Sequence, residues 1–370
     1  MDRLEKEYEL RAFQPGDEEE IVKLLVLAFD GWPKFDLLSS PIEYWRWKFQ
    51  NEARGMNRIV VGLNNDEVIG CTHTLPLRVK IGNKVYPSVQ GVDVAVHPNL
   101  RKKAIFNKIT DLAAKMRKAS GVQFHYFSTK NPIVFKYYPK NLFHRFPHSV
   151  TRLFRIHDVR LQLRKQPMKY SFIYRYAFHL SKFANRCRNT FQLHRPSSND
   201  FHIRKIAHFD ERIEGFWEEI KDHYSFMIER SRDYLNWRYC DPRGGDYLVK
   251  IAEANNQILA YTVLRIDKNQ RDYPVGYIVD LLILPNRFDV ANALVSDAAN
   301  YFDDHHINIV ICLIIKNHPY EAILKKNGFI ADLKKRILYY RIYGEIKELT
   351  NLKKEPPSRI HFVYGDFDDI

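Results

Sequence analysis

Four short patterns in the first half of this 370-residue chain recur in the second half, in the same order and at nearly the same separation. LRAFQPGD ahead of EEEIVKLL resembles IRKIAHFD ahead of ERIEGFW, with Arg11 set against Arg204 and Asp17 against Asp210. EYWRWKFQNEARG parallels DYLNWRYCDPRG, so that Trp47 falls on Trp237. VDVAVHP (92–98) matches VDLLILP (279–285), and NPIVFKYYPKNLF (131–143) matches NHPYEAILKKNGF (317–329). One such pair arises easily by chance, but four collinear pairs do not, and a duplicated unit restricts the fold more than any composition figure.

Each half reads as a strand, one or two helices, several strands, the VDxxVxP strand, a helix, a strand, a short helix and a last strand. Helices alternating with a mixed sheet give the class α/β. Asp17 and Asp210 are expected to cap the helices next to them. Strict alternation along VDVAV places Val92, Val94 and Val96 on one face and Asp93 and Ala95 on the other. After HPNLRKKAIF, the residues Ile105, Ile109, Leu112, Ala113 and Met116 recur at helical spacing, so that helix is amphipathic. The expected organisation is a first unit over 1–150, a basic connector over 151–200, a second, degenerate unit over 201–345, and a tail over 346–370. In that tail IHFVY reads as a last strand and GDFDDI as a solvated acidic terminus.

The start of the chain is too charged for a signal peptide, and no apolar run reaches the roughly 20 residues of a membrane-spanning helix. The expected location is therefore cytoplasmic. Four scattered cysteines without a CxxC pair argue against a disulfide framework and against zinc, and no spacing points to another metal. The net charge of +14 is concentrated: Thr151 to Ile206 holds thirteen Lys or Arg against Asp158 and Asp200. Within it, 170–188 forms an amphipathic basic helix, with Phe172, Ile173, Tyr176, Leu180 and Phe183 on one arc beside Arg175, Lys182 and Arg186. That helix suits packing between the two units, or an anionic membrane surface to which the protein would be peripheral. Charge and aromatics alone would also suit RNA, but a nucleic acid partner is not expected.

Val96-His97-Pro98, then Arg101 opening a helix, then Asn131, Tyr138, Lys140 and Phe143 in N-x(6)-Y-x-K order resemble the GNAT superfamily of CoA-dependent N-acyltransferases. The resemblance covers both halves and omits the connector, so it implies two tandem GNAT-like domains, each a mixed central sheet with helices on both faces. It also implies a cleft between two parting strands that takes the pantetheine arm of acetyl-CoA or another acyl-CoA, with the pyrophosphate at the next helix N-terminus. Val94, Val96, Arg101, Lys102, Lys103, Ala104, Ile105, Phe106 and Asn131 are the corresponding cofactor-binding positions. The family's glycines are absent from RKKAIF, so Phe106 must turn into the core for the groove to stay open.

Tyr138 stands where the family keeps the acid that protonates the leaving thiolate; the second half has Leu324 there, and an aspartate in its loop RFDVAN. Chemistry is therefore assigned to the first half, and a structural or acceptor-shaping role to the second. Asp93 is the candidate base or amine-orienting group, with Asp366, Asp368 and Asp369 as competing carboxylates; His73 and His125 read equally as core or cleft residues. The implied activity is direct transfer of an acyl group, acetyl by default, to an amine of a sugar, metabolite or peptide. Two other readings compete: an aminoacyl-tRNA-dependent peptidyl or lipid transferase, which would need no CoA loop, and a non-catalytic binding or scaffold protein.

Overall fold

The computed structural model describes residues 8–50, 59–101, 105–128, 143–158, 161–162, 200–268 and 273–368. The first half supplies β1 (Glu9–Ala12), α1 (Glu18–Phe29), α2 (Pro41–Phe49), β2 (Val60–Asn64), β3 (Glu67–Ile81), β4 (Lys84–Val96), α3 (Ile105–Ala119), β5 (Phe124–Ser128), β6 (His144–Arg145) and β7 (Val150–Ile156). The second supplies β8 (His202–Ile206), α4 (Arg212–Ile220), β9 (Phe226–Ile228), α5 (Arg232–Tyr239), β10 (Leu248–Ala254), β11 (Gln257–Asp267), β12 (Val275–Ile283), α6 (Phe288–Asp304), β13 (Ile309–Ile315), α7 (Tyr320–Lys326), β14 (Ile330–Arg336) and β15 (Leu338–Ile342).

These strands form two mixed sheets, ordered β1-β2-β3-β4-β5-β15-β6, with β9 added on β3, and β14-β7-β13-β12-β11-β10-β8. The fold class is thus α/β with two repeated sheets, but the sheets do not follow the halves of the chain. β7 leaves the first half to pair antiparallel with β13 and β14, while β15 crosses back to pair with β5 and β6. β7, at the start of the expected connector, thus pairs within the second sheet, and β15, near the end of the expected second unit, pairs within the first. Part of the expected connector is this β7: its Arg152 and Arg155 form ion pairs with Asp332 and Asp303, so their charge serves packing. The helix expected over 170–188 lies outside the described residues. Among the described residues, no helix is long and apolar enough to cross a membrane, and no cluster of His, Cys, Asp or Glu is arranged to hold a metal.

In the first sheet, neighbouring residues of β2 face opposite layers. Val61 joins Ile21, Leu24 and Leu25 of α1, and Val60 joins Ile105, Ile109 and Ala113 of α3. Close packing there requires glycine at 70, where a Cβ would lie 2.5 Å from Ile109 Cδ1. α2 starts with a reciprocal cap, since Ser40 Oγ accepts from Glu43 N and Glu43 accepts from Ser40 N. Asp17 makes no such cap. Its carboxylate is held by Arg11 at 2.7 Å, whereas Asp210 Oδ1 accepts from the Arg212 backbone N–H at the start of α4 at 3.1 Å, as expected, while also pairing with the Arg212 side chain. An arginine within reach offers a charge-assisted bond stronger than that from a helix N–H.

The tail departs furthest from expectation. IHFVY forms only an isolated parallel bridge between Ile360 and Phe226, and the chain then makes a short 3₁₀ turn over Tyr364–Asp366. Ile360, Phe362, Val363, Tyr364 and Phe367 are all buried, so the tail as far as the described residues go runs through the interior and is not a solvated segment. Its apolar residues and two of its aspartates find partners on both sheets, which a disordered end would forgo.

Candidate active site

β4 and β5 are parallel neighbours through Ser88–Phe124, Val89–His125 and Gln90–Tyr126, and then part. Just beyond, β4 bulges against β3: His73 faces Val92 and Cys71 faces Ala95, leaving one residue of β3 opposite two of β4. Asp93 sits in this bulge at φ +43°, a left-handed conformation rare for a residue other than glycine. The bulge also breaks the alternation expected of VDVAV. Val92 and Ala95 both join the α1 side of the core and Val96 joins the α3 side, because an extra residue re-aims the side chains beyond it.

The strained backbone is held by His73. Trp45 Nε1 can only donate, so His73 Nε2 accepts from it at 3.1 Å and Nδ1 donates to the Asp93 carbonyl at 2.9 Å. Burial pushes the His73 pKa down to about 4, so the ring is neutral and both nitrogens are committed to structure. His125 is also buried, with its Nε2 where a Cβ on Gly91 would lie 2.6 Å away; burial lowers its pKa well below the usual histidine range. Both histidines are packing groups.

The Asp93 side chain leads to an ionic group drawn from three distant segments. Trp32 Nε1 donates to Oδ1 at 2.9 Å, and Lys48 Nζ donates to Oδ2 at 2.7 Å. The same ammonium reaches Asp368 Oδ2 at 2.5 Å. Lys48 is only 3% exposed and lies 5.1–5.8 Å from the ring centres of Phe49, Tyr44 and Trp32. Burial alone would discharge it, but Asp368 and Asp93 together hold its pKa above the ordinary value.

One cation cannot neutralise two carboxylates, and the surplus falls on Asp368. Burial raises the Asp368 pKa, Lys48 opposes, the Asp93 charge adds to the rise, and the result is about 6. Burial also works against Asp93, yet Lys48 and the Trp32 N–H keep it below the usual range. Two carboxyls with pKa values pushed apart in one enclosure is a common arrangement for acid–base work.

The structure brings some of the sequence-derived residues to this place and others not. Asp93, Val94 and Val96 line the end of β4 past the parting point. Arg101 lies ahead of α3 and donates from Nη2 to the Ala28 carbonyl at 3.0 Å, tying that turn to the end of α1. Ile105 is buried against Gly70, and half-buried Phe106 packs on the same cluster, so its ring turns toward the core. Lys102, Lys103, Ala104, Asn131, Tyr138 and Asp369 lie outside the described residues. Lys48 and Trp32 were missed by sequence reasoning. Lys48 did leave a trace, since the repeat that sets Trp47 on Trp237 also sets Lys48 on Arg238.

In the second sheet β12 and β13 pair from Val275–Ile309 to Ile278–Cys312 and then part in the same way. That cleft is filled by the tail. Tyr364 packs edge-on to Tyr277 at 5.2 Å, and a Cβ on Gly365 would lie 3.4 Å from the Val279 carbonyl and 2.0 Å from Tyr239 Oη. Asp280, the counterpart of Asp93, faces Arg230, Tyr239 and Tyr261. Asp289 of the second loop is occupied by Arg287 at 2.8 Å.

Residues 9–139 match the family described as an acetyltransferase (GNAT) domain. Among solved structures, the chain is similar to a GCN5-related N-acetyltransferase from Anabaena variabilis, with 10% identity, a TM-score of 0.62, and coverage of 91% of this chain and 73% of that one. It is similar to a probable N-acyltransferase from Enterococcus faecalis, with 12% identity, a TM-score of 0.62 and coverage of 93% and 74%. It also resembles Saccharomyces cerevisiae N-myristoyltransferase with bound myristoyl-CoA, with 11% identity, a TM-score of 0.59 and coverage of 94% and 85%. No curated protein sequence matches. Structural likeness at such identities speaks for the fold, and here it agrees with the domain match and with the repeated parting of strands in both sheets. Residues 9–139, within the first sheet, thus carry a match to the GNAT acetyltransferase domain, and the chain as a whole shares the fold of these N-acyltransferase structures, with the parting of strands repeated in the second sheet.

Proposed function

We propose that the chain is an acyl-CoA-dependent N-acyltransferase working by direct transfer in the first cleft, with acetyl-CoA as donor and an amine of a sugar, metabolite or peptide as acceptor. In this reading the thioester lies where β4 leaves β5, beside Val94 and Val96. Arg101, Lys102, Lys103, Ala104 and the α3 N-terminus at Ile105 and Phe106 meet the pyrophosphate, and Asn131 lies along the arm. The amine nitrogen attacks the carbonyl carbon, and a C–N bond forms as the C–S bond breaks. The proton lost by nitrogen passes to the Asp368 carboxylate, and the leaving sulfur takes the Tyr138 hydroxyl proton. Asp93 is reassigned from base to orienting group, because a carboxylate held low by Lys48 is a weak proton acceptor.

The observation that carries this reading is the unequal carboxylate pair on Lys48, set just past the parting strands, with Asp368 near 6 and so largely ionised at pH 7. Calorimetric titration tests it directly, with acetyl-CoA and myristoyl-CoA as the two donors compared. Binding of either, with release of free thiol on addition of amine, is the expected result. No heat with either donor at millimolar concentration would remove the proposal; heat with myristoyl-CoA alone would keep the reaction and change the donor.

A further inference from the structure

The filling of the second cleft has a chemistry that packing alone does not require. Arg230, wholly buried just after β9, donates from Nη2 to Asp366 Oδ1 at 2.6 Å, and its Nε lies 3.2 Å from both Asp280 Oδ2 and Tyr261 Oη. Tyr239 and Tyr261 donate their hydroxyls to the same Asp280 oxygen. On the other side Tyr126 Oη, from β5 of the first sheet, donates to the Asp366 carbonyl at 3.0 Å. Asp366 Oδ2 accepts from Val363 N at 2.9 Å, which closes the 3₁₀ turn on itself. One tail residue is thus gripped by both sheets, two positions before Asp368.

A buried ion group of this kind is a poor way to gain stability, since well-packed apolar side chains in its place are often as stable or more so. Phe362 and Phe367 already give the tail an apolar grip. What the Arg230 group adds is register. A slip of one residue moves a side chain by about 2 Å along the 3₁₀ turn or about 3.3 Å along the extended residues after it, and changes the direction in which it points. Such a slip would withdraw Asp368 from Lys48 altogether. The filled cleft therefore has a use in the first site despite lacking one of its own.

Resting on the reading of Asp368 as the base, we propose that Arg230 is a positioning residue: by fixing Asp366 in the second cleft it sets the register of the tail and so the place of Asp368 in the first. The groups facing Asp368 are Lys48 of α2, Asp93 of β4 and Arg238 of α5, and Asp368 meets all three only if the tail keeps its place.

The test uses the full chain with ¹³C-labelled aspartate carboxyls, titrated by NMR, alongside steady-state turnover of acetyl-CoA with glucosamine and with a short peptide bearing a free amine. The parent is expected to show a carboxyl titrating near 6 that disappears in Asp368→Asn. Tyr126→Phe and Asp366→Asn are expected to move that midpoint toward about 4, the unperturbed aspartate range. They should also lower kcat by about tenfold or more, with the KM for acetyl-CoA within about twofold. Near-UV circular dichroism reports folding, and if Asp366→Asn fails to fold, Tyr126→Phe decides. Folded variants with an unmoved midpoint and parental kcat would overturn the positioning role, as would a joint loss of kcat and KM without a moved midpoint. A near-6 titration and full turnover that survive Asp368→Asn would instead overturn the base assignment beneath it.

Discussion

A single ammonium placed between two buried carboxylates makes them unequal, and the proposed base rests on that inequality. Asp93 accepts from Lys48 and a tryptophan N–H, whereas Asp368, among the described residues, accepts from Lys48 and carries the excess charge. If Asp368 is the base, Asp368→Asn should lower kcat at pH 7 by about 10²–10⁴-fold and abolish the rise of kcat/KM through pH 6, read by thiol release from acetyl-CoA across pH. Lys48→Met should move that rise above pH 6, since the two carboxylates then lose the ammonium that bonds both and Asp368 keeps Arg238 as its opposing charge. It should also cost about 3–5 kcal/mol of stability in urea unfolding. Stability against pH gives an independent check. The folded His73 resists a proton that the unfolded chain accepts below 6.5, so its contribution is lost as pH falls toward about 4. Asp368 acts in the opposite sense: its folded pKa is raised, so its contribution is present at low pH and is lost as pH rises through about 6. Removing Asp368 should therefore make the loss of stability between pH 6.5 and 4 steeper than in the parent; an equal or shallower slope would count against the raised carboxyl.

At the scale of elements, α3 is held to the sheet through Ile105 and Ile109 over Gly70, and the turn it opens from is tied by Arg101 to α1. Gly70→Ala places a methyl 2.5 Å from Ile109 Cδ1, so α3 must lift or a side chain must shift. Overpacking of this kind costs about 1–3 kcal/mol, and acetyl-CoA affinity should fall while the kcat pH profile stays unchanged. Ile109→Val in the same chain should restore most of both, because it removes the methyl that collides; calorimetry and thermal melts together report it. These elements were readable from sequence, because the helical spacing of Ile105, Ile109, Leu112 and Ala113 and the duplicated VDxxVxP strand are matters of local periodicity. The exchange of β7 and β15 was not. Alternation in VTRLFRI or LYYRI fixes which face of a strand is apolar, and both sheets offer an equivalent place for it. The site was half readable for a similar reason. Asp93 lies in a motif, but its cation comes from α2 and the second carboxylate from 320 residues beyond that lysine, a pairing no local pattern encodes. The tail misled because GDFDDI looks like a solvated end until Arg230 and Lys48 are placed around it.

For the molecule as a whole, reciprocal exchange makes the two sheets one folding unit. The first sheet lacks a neighbour for the outer edge of β5 until β15 arrives, and the second lacks one for β13 until β7 does. The continuous apolar core repeats the point, since Leu77, Val79, Phe124 and Tyr126 of the first sheet pack in one cluster with Phe226, Val279, Leu281 and Phe362. Two independent domains would melt in two steps, each responding to its own mutations. Here a cavity made in the second sheet should lower the stability of the first. Leu313→Ala in β13 is the direct case: the residue is 3% exposed and its pairing partner is Arg152 of β7. Truncation of such a leucine costs about 2–5 kcal/mol. Near-UV circular dichroism reports on the whole aromatic core. Fluorescence of Trp32 and Trp45, read in a chain whose other tryptophans are replaced by phenylalanine, reports on the first sheet alone. Both signals should shift to lower urea concentration together and by the same amount. If Trp32 and Trp45 kept the parental midpoint while the near-UV signal split, the exchanged strands would be an ornament on two separable domains, and a tail fixed in one sheet could not govern a carboxylate in the other.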